Sequence, residues 1–112
     1  MLNFLKSIFS GAPKVDYRQL VKDGAIIIDV RTPDEFASGH ISGSQNIPLH
    51  QLQSSISKLQ AKKKAVITVC RSGARSGMAN KLLQKHGLAS FNGGAWTSLN
   101  RQLARHDRQN TP

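Results

Sequence analysis

The sequence predicts an α/β fold in which an open, mainly parallel β-sheet carries helices on both faces. Two runs rich in β-branched residues, 26–30 and 65–69, do not alternate with polar residues, which is typical of strands that are covered on both faces. Apolar residues at helical spacing follow each run, so strand and helix signals alternate along the chain. Since a domain commonly takes about 100–200 residues, the 112 residues predict a single domain.

The first 13 residues are predicted to form an amphipathic arm outside that domain. One helical face is formed by Leu2, Leu5 and Phe9. An arm that packs on its own domain or frays is favoured over a dimer contact or a membrane contact through residues 1–10. Lys6 makes the arm a poor secretory signal, and no apolar run reaches the roughly 18 residues of a transmembrane helix. We therefore expect a cytoplasmic protein, monomeric or weakly dimeric, with a domain at residues 14–106 and a frayed polar tail at residues 107–112.

Two helix starts are marked by capping residues. Asp16 followed by Gln19 has the form of a capping box, in which each side chain bonds to the backbone N–H of the other residue. Thr32 and Glu35 have the same form, and Pro33 occupies the first helical position, where its missing N–H is not needed. Each helix is expected to end at the next glycine.

The remaining elements follow from apolar spacing and from glycine or proline breaks. Residues 44–47 predict a brief strand and residues 88–91 a last strand, with Gly93-Gly94 as a turn after it. Three helices are predicted by apolar residues at helical spacing: Leu49, Leu52, Ile56 and Leu59; Met78, Ala79, Leu82 and Leu83; and Trp96, Leu99 and Leu103. In sheets of this class, ligands bind where strands end and helices begin.

Positive charge is concentrated in the second half of the chain. Residues 1–56 carry five basic and five acidic side chains, so residues 57–112 hold the whole net charge of +10. This asymmetry predicts an anionic partner: a small anion, an acidic protein, a membrane surface or nucleic acid. Nucleic acid is disfavoured because Phe91 and Trp96, the only aromatic residues of that half, do not interleave with basic residues as stacking sites do.

Cys70 is the only cysteine, which excludes an intramolecular disulfide, a Cys-x-x-Cys redox pair and a multi-cysteine zinc site. The four histidines show no short metal-ligand spacing, so no metal is expected. A lone cysteine is most often a small buried apolar residue. The position of this one, directly after a predicted buried strand and before a helix, favours a functional role instead.

The loop that follows Cys70 favours a reactive thiolate. Gly73 and its small neighbours let the backbone aim several N–H groups at one point, and the next helix presents its positive N-terminal end there. Arg71 and Arg75 add positive charge. Such surroundings lower the pKa of a cysteine from near 8.5 to about 3.5–7.5. The loop would therefore hold a nucleophilic sulfur inside a cradle for oxyanions.

Loop length separates two chemistries that use this arrangement, phosphoryl transfer and sulfur transfer to cysteine. Cysteine-dependent phosphatases carry an arginine in the pattern C-x5-R, where this chain has Ser76. Arg75 gives C-x4-R instead, and this smaller cradle suits a sulfur atom better than a tetrahedral phosphate. Phosphatase or arsenate reductase activity is therefore disfavoured.

Residues 70–76, Cys-Arg-Ser-Gly-Ala-Arg-Ser, resemble the active-site loop of rhodanese domains, the thiosulfate and persulfide sulfurtransferases. Further signatures of that family match in order within residues 15–103: Ile28-Asp29-Val30-Arg31, Glu35-Phe36, Gly39-His40-Ile41-Ser42-Gly43-Ser44, Asn46-Ile47-Pro48 and Gly93-Gly94-Ala95-Trp96. The family often has alanine where Ser44 stands. The resemblance implies a rhodanese-like α/β fold with a five-stranded, mostly parallel sheet flanked by helices on both faces.

The resemblance also implies covalent sulfur transfer through Cys70. Cys70 would attack the outer sulfur of a small anionic donor such as thiosulfate and release sulfite. The resulting persulfide would pass its sulfur to cyanide, a thiol or a thioredoxin-like acceptor. Donor and persulfide would be bound by the charges of Arg71 and Arg75 and by the backbone N–H groups of Ser72, Gly73, Ala74 and Arg75. No metal or organic cofactor is implied.

Asp29 and Arg31 are predicted to support this site from the end of a strand. Asp29 is expected to accept hydrogen bonds from the loop, and Arg31 is expected to pair with Glu35. His40 and Trp96 are predicted to be packing residues. These four residues are thus expected to stabilise the site and not to take part in the reaction.

Two functions remain open for the same cysteine. The first is a thiosulfate sulfurtransferase. The second is a persulfide carrier or protein-docking module whose thiosulfate activity is incidental. Relative rates with thiosulfate and with protein persulfides would separate them.

Overall fold

The structure, a computed structural model, describes residues 14–109; the predicted arm at residues 1–13 and the last three residues of the predicted tail lie outside this range. The strands are β1 (Ile26–Asp29), β2 (Gln45–Asn46), β3 (Val66–Cys70) and β4 (Ser90–Ala95). The helices are α1 (Tyr17–Lys22), α2 (Pro33–Ala37), α3 (Leu52–Lys62), α4 (Ala74–Lys85) and α5 (Trp96–Gln109), and a 3₁₀ turn at Leu49–Gln51 leads into α3. Within the described range, no helix has the length and apolar character needed to cross a membrane.

The strands form one sheet in the order β2-β1-β3-β4, and every neighbouring pair is parallel. The predicted α/β fold, a parallel sheet flanked by helices, is confirmed. The implied number of five strands is wrong for residues 14–109, which form four. The residues that precede α1 in this range, 14–16, are not paired with a sheet edge and lead directly into that helix.

Two apolar layers explain why β1 and β3 lack alternation. One face of the sheet packs against α3 and α4 through Ile28, Val30, Leu52, Ile56, Leu59, Val66, Cys70, Ala79 and Leu83. The other face packs against α1 and α5 through Ile27, Ile41, Ile67, Val69 and Leu99, with Tyr17, Leu20, Val21, Trp96 and Leu103 partly buried. All five residues of β3 are buried. The strand that ends at the cysteine is therefore held on both faces and along both edges.

The two predicted capping boxes differ in completeness. Thr32 accepts a hydrogen bond from the Glu35 N–H, and the Glu35 carboxylate accepts one from the Thr32 N–H, as predicted. Asp16 accepts from the Gln19 N–H at 3.0 Å, but the Gln19 side chain donates to Asp23. The reciprocal half of this box is missing because an acidic side chain one turn later binds that amide.

The predicted turn at Gly93-Gly94 is wrong, because both glycines belong to strand β4. The strand continues through both glycines, and a register shift opposite Thr68 and Val69 makes Gly93 the extra residue of a β-bulge. A Cβ at Gly93 would lie 2.8 Å from the Ile67 side chain and 3.0 Å from the Thr68 carbonyl oxygen, so the close packing requires glycine. The bulge lies beside the loop that follows β3.

Candidate active site

Cys70 lies at the carboxyl end of the central strand, under a short loop. The residue is only 1% exposed. Arg71 and Ser72 are exposed, and Gly73 caps α4 in a left-handed conformation with φ of 102°. A residue with a side chain would be strained in that conformation, which accounts for the glycine. The tight turn brings the first turn of α4 back over the sulfur.

Two groups contact the Cys70 sulfur directly. The Gly73 N–H donates a hydrogen bond to Sγ at 3.0 Å, and the Ser76 hydroxyl oxygen lies 3.3 Å from Sγ. Burial raises the pKa of the thiol, but hydrogen bonds from the Ser76 hydroxyl and from the N–H groups of Ser76, Gly73 and Ser72 outweigh it. The pKa of Cys70 is therefore lowered, which favours the thiolate.

The four predicted N–H donors lie on either side of the start of α4. Ser72 and Gly73 precede α4, and the Gly73 N–H makes the direct bond to sulfur. Ala74 and Arg75 form the first turn of α4. N–H groups in the first turn of a helix have no intrahelical partner, so the positive end of α4 faces the sulfur.

Ser76 and Asn92 form a support for the sulfur that sequence reasoning missed. The Ser76 hydroxyl donates to the Asn92 side-chain oxygen at 2.7 Å, and that oxygen also accepts from the Gly94 N–H at 2.9 Å. The Asn92 side-chain nitrogen donates to the Gly73 carbonyl oxygen at 3.3 Å. Because a hydroxyl carries one proton, Asn92 competes with the Cys70 thiolate for the proton of Ser76.

Arg75 is held in an ion pair beside the loop. Its two terminal guanidinium nitrogens donate to the two oxygens of Glu35 at 2.7 and 3.0 Å. This bidentate pair holds the pKa of the Glu35 carboxyl at about 2. It joins α2 to the first turn of α4, a contact that sequence reasoning also missed. Arg71 is exposed and makes no hydrogen bond or ion pair with a described residue, so its charge faces solvent at the loop.

Arg31 forms its ion pair with Asp29, so the predicted pairing with the Glu35 carboxylate is wrong. The Arg31 guanidinium contacts both oxygens of Asp29 at 2.7 to 3.1 Å, and both residues are buried. Arg31 does donate to the carbonyl oxygens of Glu35 and Gly39, and it lies over the Trp96 ring. A carboxylate two residues away on the same buried strand end outcompetes the more exposed one.

Asp29 also accepts the Arg31 backbone N–H at 3.0 Å, as expected of a residue that fixes the chain after a strand. The His40 Nδ1–H donates to the Phe36 carbonyl oxygen at 2.7 Å, and the His40 ring stacks on the Phe36 ring, which fits the predicted packing role. Neither residue contacts the cysteine sulfur. Both lie in the structure that surrounds the loop.

Replacing Ser76 with alanine is expected to raise the pKa of the Cys70 thiol, because a hydrogen bond that lowers it is lost while burial remains. The thiolate then forms at higher pH, so reactivity falls most at low pH and recovers as the pH rises. The pH dependence of alkylation by iodoacetamide measures this directly. Ser57→Ala, at an exposed position of α3, is the control. A Ser76→Ala profile that overlays the wild-type profile contradicts the assigned role.

Comparison with known proteins places this site in a known family. A family model for the rhodanese-like domain matches residues 14–97. YqhL of Bacillus subtilis, an uncharacterized protein, is 44% identical over 63 residues, which are 56% of this chain and 49% of that protein. The chain thus spans about half the length of this relative.

Two further relatives match over nearly the whole chain. The thiosulfate sulfurtransferase GlpE of Stutzerimonas stutzeri is 31% identical over 106 residues, which are 90% of this chain and 96% of that protein. The solved structure of the human single-domain sulfurtransferase TSTD1 is 27% identical, with a TM-score of 0.63 over 91% of this chain and 100% of that one. The chain belongs to the rhodanese-like domain family.

Proposed function

We propose that this protein is a sulfurtransferase that carries sulfur from thiosulfate or a persulfide donor to a thiophilic acceptor through a Cys70 persulfide. The observation that carries the proposal is the Cys70 sulfur itself, bonded by the Gly73 N–H and adjacent to the Ser76 hydroxyl within a C-x4-R loop. These contacts stabilise an anionic sulfur, which is both the attacking group and the form of the persulfide at neutral pH.

The first step forms one sulfur–sulfur bond and breaks another. The Cys70 thiolate attacks the outer sulfur of thiosulfate, and the electron pair of the broken bond leaves with sulfite. No proton moves and no oxidant is required. In the second step, cyanide attacks the outer sulfur of the persulfide and leaves as thiocyanate, which returns the Cys70 thiolate. A thiolate acceptor takes the sulfur in the same way and leaves as a persulfide.

The loop supplies the groups that each step needs. The outer sulfur of the persulfide would meet the N–H groups of Ala74 and Arg75, since the N–H groups of Gly73 and Ser72 already bond to the Cys70 sulfur. Arg71, exposed at the loop, would attract the sulfonate end of the donor. The charge of Arg75 would be partly neutralised by its ion pair with Glu35, which also ties α2 to the loop. The relative GlpE is named a thiosulfate sulfurtransferase, which supports thiosulfate as a donor.

A rate comparison tests this function. The protein should form thiocyanate from thiosulfate and cyanide, and should hydrolyse an aryl phosphate poorly or not at all. The reason is the loop, which is one residue shorter than that of cysteine phosphatases. Hydrolysis of the aryl phosphate without thiocyanate formation would overturn the proposal.

The alternative, a persulfide carrier that docks on a protein, uses the same cysteine. The depth of Cys70, which is 1% exposed, favours a small donor such as thiosulfate over a protein persulfide. A carrier should accept sulfur from a protein persulfide faster than from thiosulfate. Relative kcat/KM values for the two donors decide between the readings.

Replacing Glu35 with glutamine is expected to raise kcat/KM for thiosulfate about three- to tenfold, since a negative charge next to the loop is lost and Arg75 becomes available to the donor. Glutamine still fits the capping box with Thr32, so α2 keeps its cap. Steady-state kinetics at low salt measure the effect, with Asp34→Asn on the same helix as the control. A lower kcat/KM in Glu35→Gln would show that the ion pair holds the loop in its active shape.

A further inference from the structure

Helices α3 and α4 form a layer that carries positive charge alone. The sequence has no acidic residue from position 36 to position 106, a stretch that contains both helices. Exposed lysines of this layer are Lys58, Lys62, Lys81 and Lys85. On the other face of the sheet, α1 is flanked by Asp16 and Asp23 and carries a mixture of charges. The charge on the α3/α4 face is therefore unbalanced by any acidic residue of these two helices.

The solvent side of α4 continues from the loop of Cys70. Its outward residues, spaced four, three and four apart, are Ala74, Met78, Lys81 and Lys85, and all are exposed. We name this row the α4 ridge. The opposite side of the helix is buried through Ser76, Ala79 and Leu83. The α4 ridge therefore points directly away from the sheet.

Met78 is 62% exposed at the centre of the α4 ridge. Single exposed apolar residues are common, but this one is followed along the ridge by two lysines and lies one helical turn from the loop. Methionine side chains are flexible and polarisable, and they are frequent on surfaces that bind protein segments. An apolar contact followed by two cations is suited to a partner that offers an apolar side chain followed by acidic ones.

A small donor cannot account for the two lysines of the ridge. With a rise of 1.5 Å per residue, Lys81 and Lys85 lie roughly 10 and 16 Å along the helix from Ala74. These distances exceed the Debye length of about 8 Å at physiological salt. A sulfur donor in the loop would be screened from both charges. A larger acidic partner that extends from the loop along α4 would contact them.

We propose that the α4 ridge docks an acidic protein that exchanges sulfur with Cys70. The inference rests on the proposed function, because it assigns a partner to the same cysteine. The partner lays acidic side chains on Lys81 and Lys85 and an apolar side chain on Met78, while its cysteine enters the loop. Its thiolate attacks the outer sulfur of the Cys70 persulfide, forms the new persulfide and returns the Cys70 thiolate.

Two synthetic peptides test the ridge as acceptors of sulfur from thiosulfate. Each has one cysteine and one leucine; one carries several glutamates, and the other carries glutamine at the same positions. Wild-type protein is expected to prefer the acidic peptide about tenfold in kcat/KM, the combined effect of two exposed ion pairs. The preference should fall to about one- to twofold in the double variant Lys81→Ala/Lys85→Ala and in Met78→Glu.

The matched control is Arg101→Ala/Arg105→Ala, which removes two exposed charges from α5 on the other face of the sheet. It should keep the preference for the acidic peptide. Equal loss in both double variants would show general attraction by net charge and overturn the ridge. Stronger inhibition by a short single-stranded RNA than by a cysteine-free acidic peptide would assign the surface to nucleic acid and also overturn it.

The docking proposal for the α4 ridge can be refuted without refuting the proposed function. Intact mass after thiosulfate reports whether Cys70 takes up sulfur, with no acceptor peptide present. A persulfide that forms and passes sulfur equally to both peptides refutes the ridge alone. Absence of the persulfide in all variants refutes the proposed function and the ridge with it.

Discussion

Replacing Cys70 with serine is expected to lower kcat for sulfur transfer from thiosulfate to cyanide by about a thousandfold or more. The Gly73 N–H, which stabilises a thiolate, cannot ionise a serine hydroxyl, which is far more basic. Serine also forms no persulfide. The substitution removes the only cysteine of the chain, so no other thiol can replace it. Thiocyanate formation measures the loss.

The size of serine keeps this experiment interpretable. Serine is close to cysteine in volume, and the position is enclosed but already polar on one side, next to Gly73 and Ser76. The free energy of unfolding should change by less than about 1.5 kcal/mol. A Cys70→Ser protein that is folded and retains a large part of the wild-type rate would contradict the covalent route.

Replacing Arg31 with alanine is expected to lower the free energy of unfolding by about 3–5 kcal/mol, because the Asp29 carboxylate is then buried without its partner. Arg31 also bonds to the carbonyl oxygens of Glu35 and Gly39, so these lose a donor as well. Total stabilities of domains are about 5–15 kcal/mol, so the loss is a large fraction. Urea denaturation followed by circular dichroism measures it.

Arg101→Ala provides the control for this prediction. Arg101 is exposed on α5, and its substitution should change the free energy of unfolding by less than about 0.5 kcal/mol. If Arg31→Ala and Arg101→Ala have equal midpoints, the buried pair with Asp29 is not a main support of the strand end. The double variant Asp29→Ala/Arg31→Ala should be more stable than Arg31→Ala, since no unpaired carboxylate remains.

The layers of this fold could be predicted because they depend on local patterns. The β-branched runs of β1 and β3 indicate strands buried on both faces, and the structure has them in one parallel sheet. Thr32, Pro33 and Glu35 mark the start of α2, where the complete capping box forms. Both signals lie within a few residues, so no tertiary contact is needed to interpret them.

The errors in strand prediction arose where distant segments meet. Gly93 and Gly94 have the composition of a turn, but close approach to Ile67 and Thr68 makes them part of a bulged strand. The implied fifth strand came from the resemblance alone, and no segment of residues 14–109 supplies it. Pairing between strands depends on neighbours that a local pattern does not identify.

In the candidate site too, local features could be predicted from the sequence, and contacts between distant segments could not. The segment from Cys70 to Gly73 is contiguous, so its tight turn and its N–H donor could be expected from the sequence. The sequence interpretation places Ser76 in the loop but assigns it no role, although its place in the first turn of α4 brings it near the sulfur. Asn92 reaches Ser76 from 16 residues away, and Glu35 reaches Arg75 from 40 residues away. Charge and spacing do not reveal such partners.

The intact mass of the protein after thiosulfate treatment tests the central claim most directly. We expect the wild-type chain to gain the mass of one sulfur atom, to lose it when cyanide is added, and to show no gain as Cys70→Ser. Because Cys70 is the only cysteine, a single adduct has one site. A chain that gains no sulfur while it hydrolyses an aryl phosphate would contradict the account and show that loop length does not separate the two chemistries here.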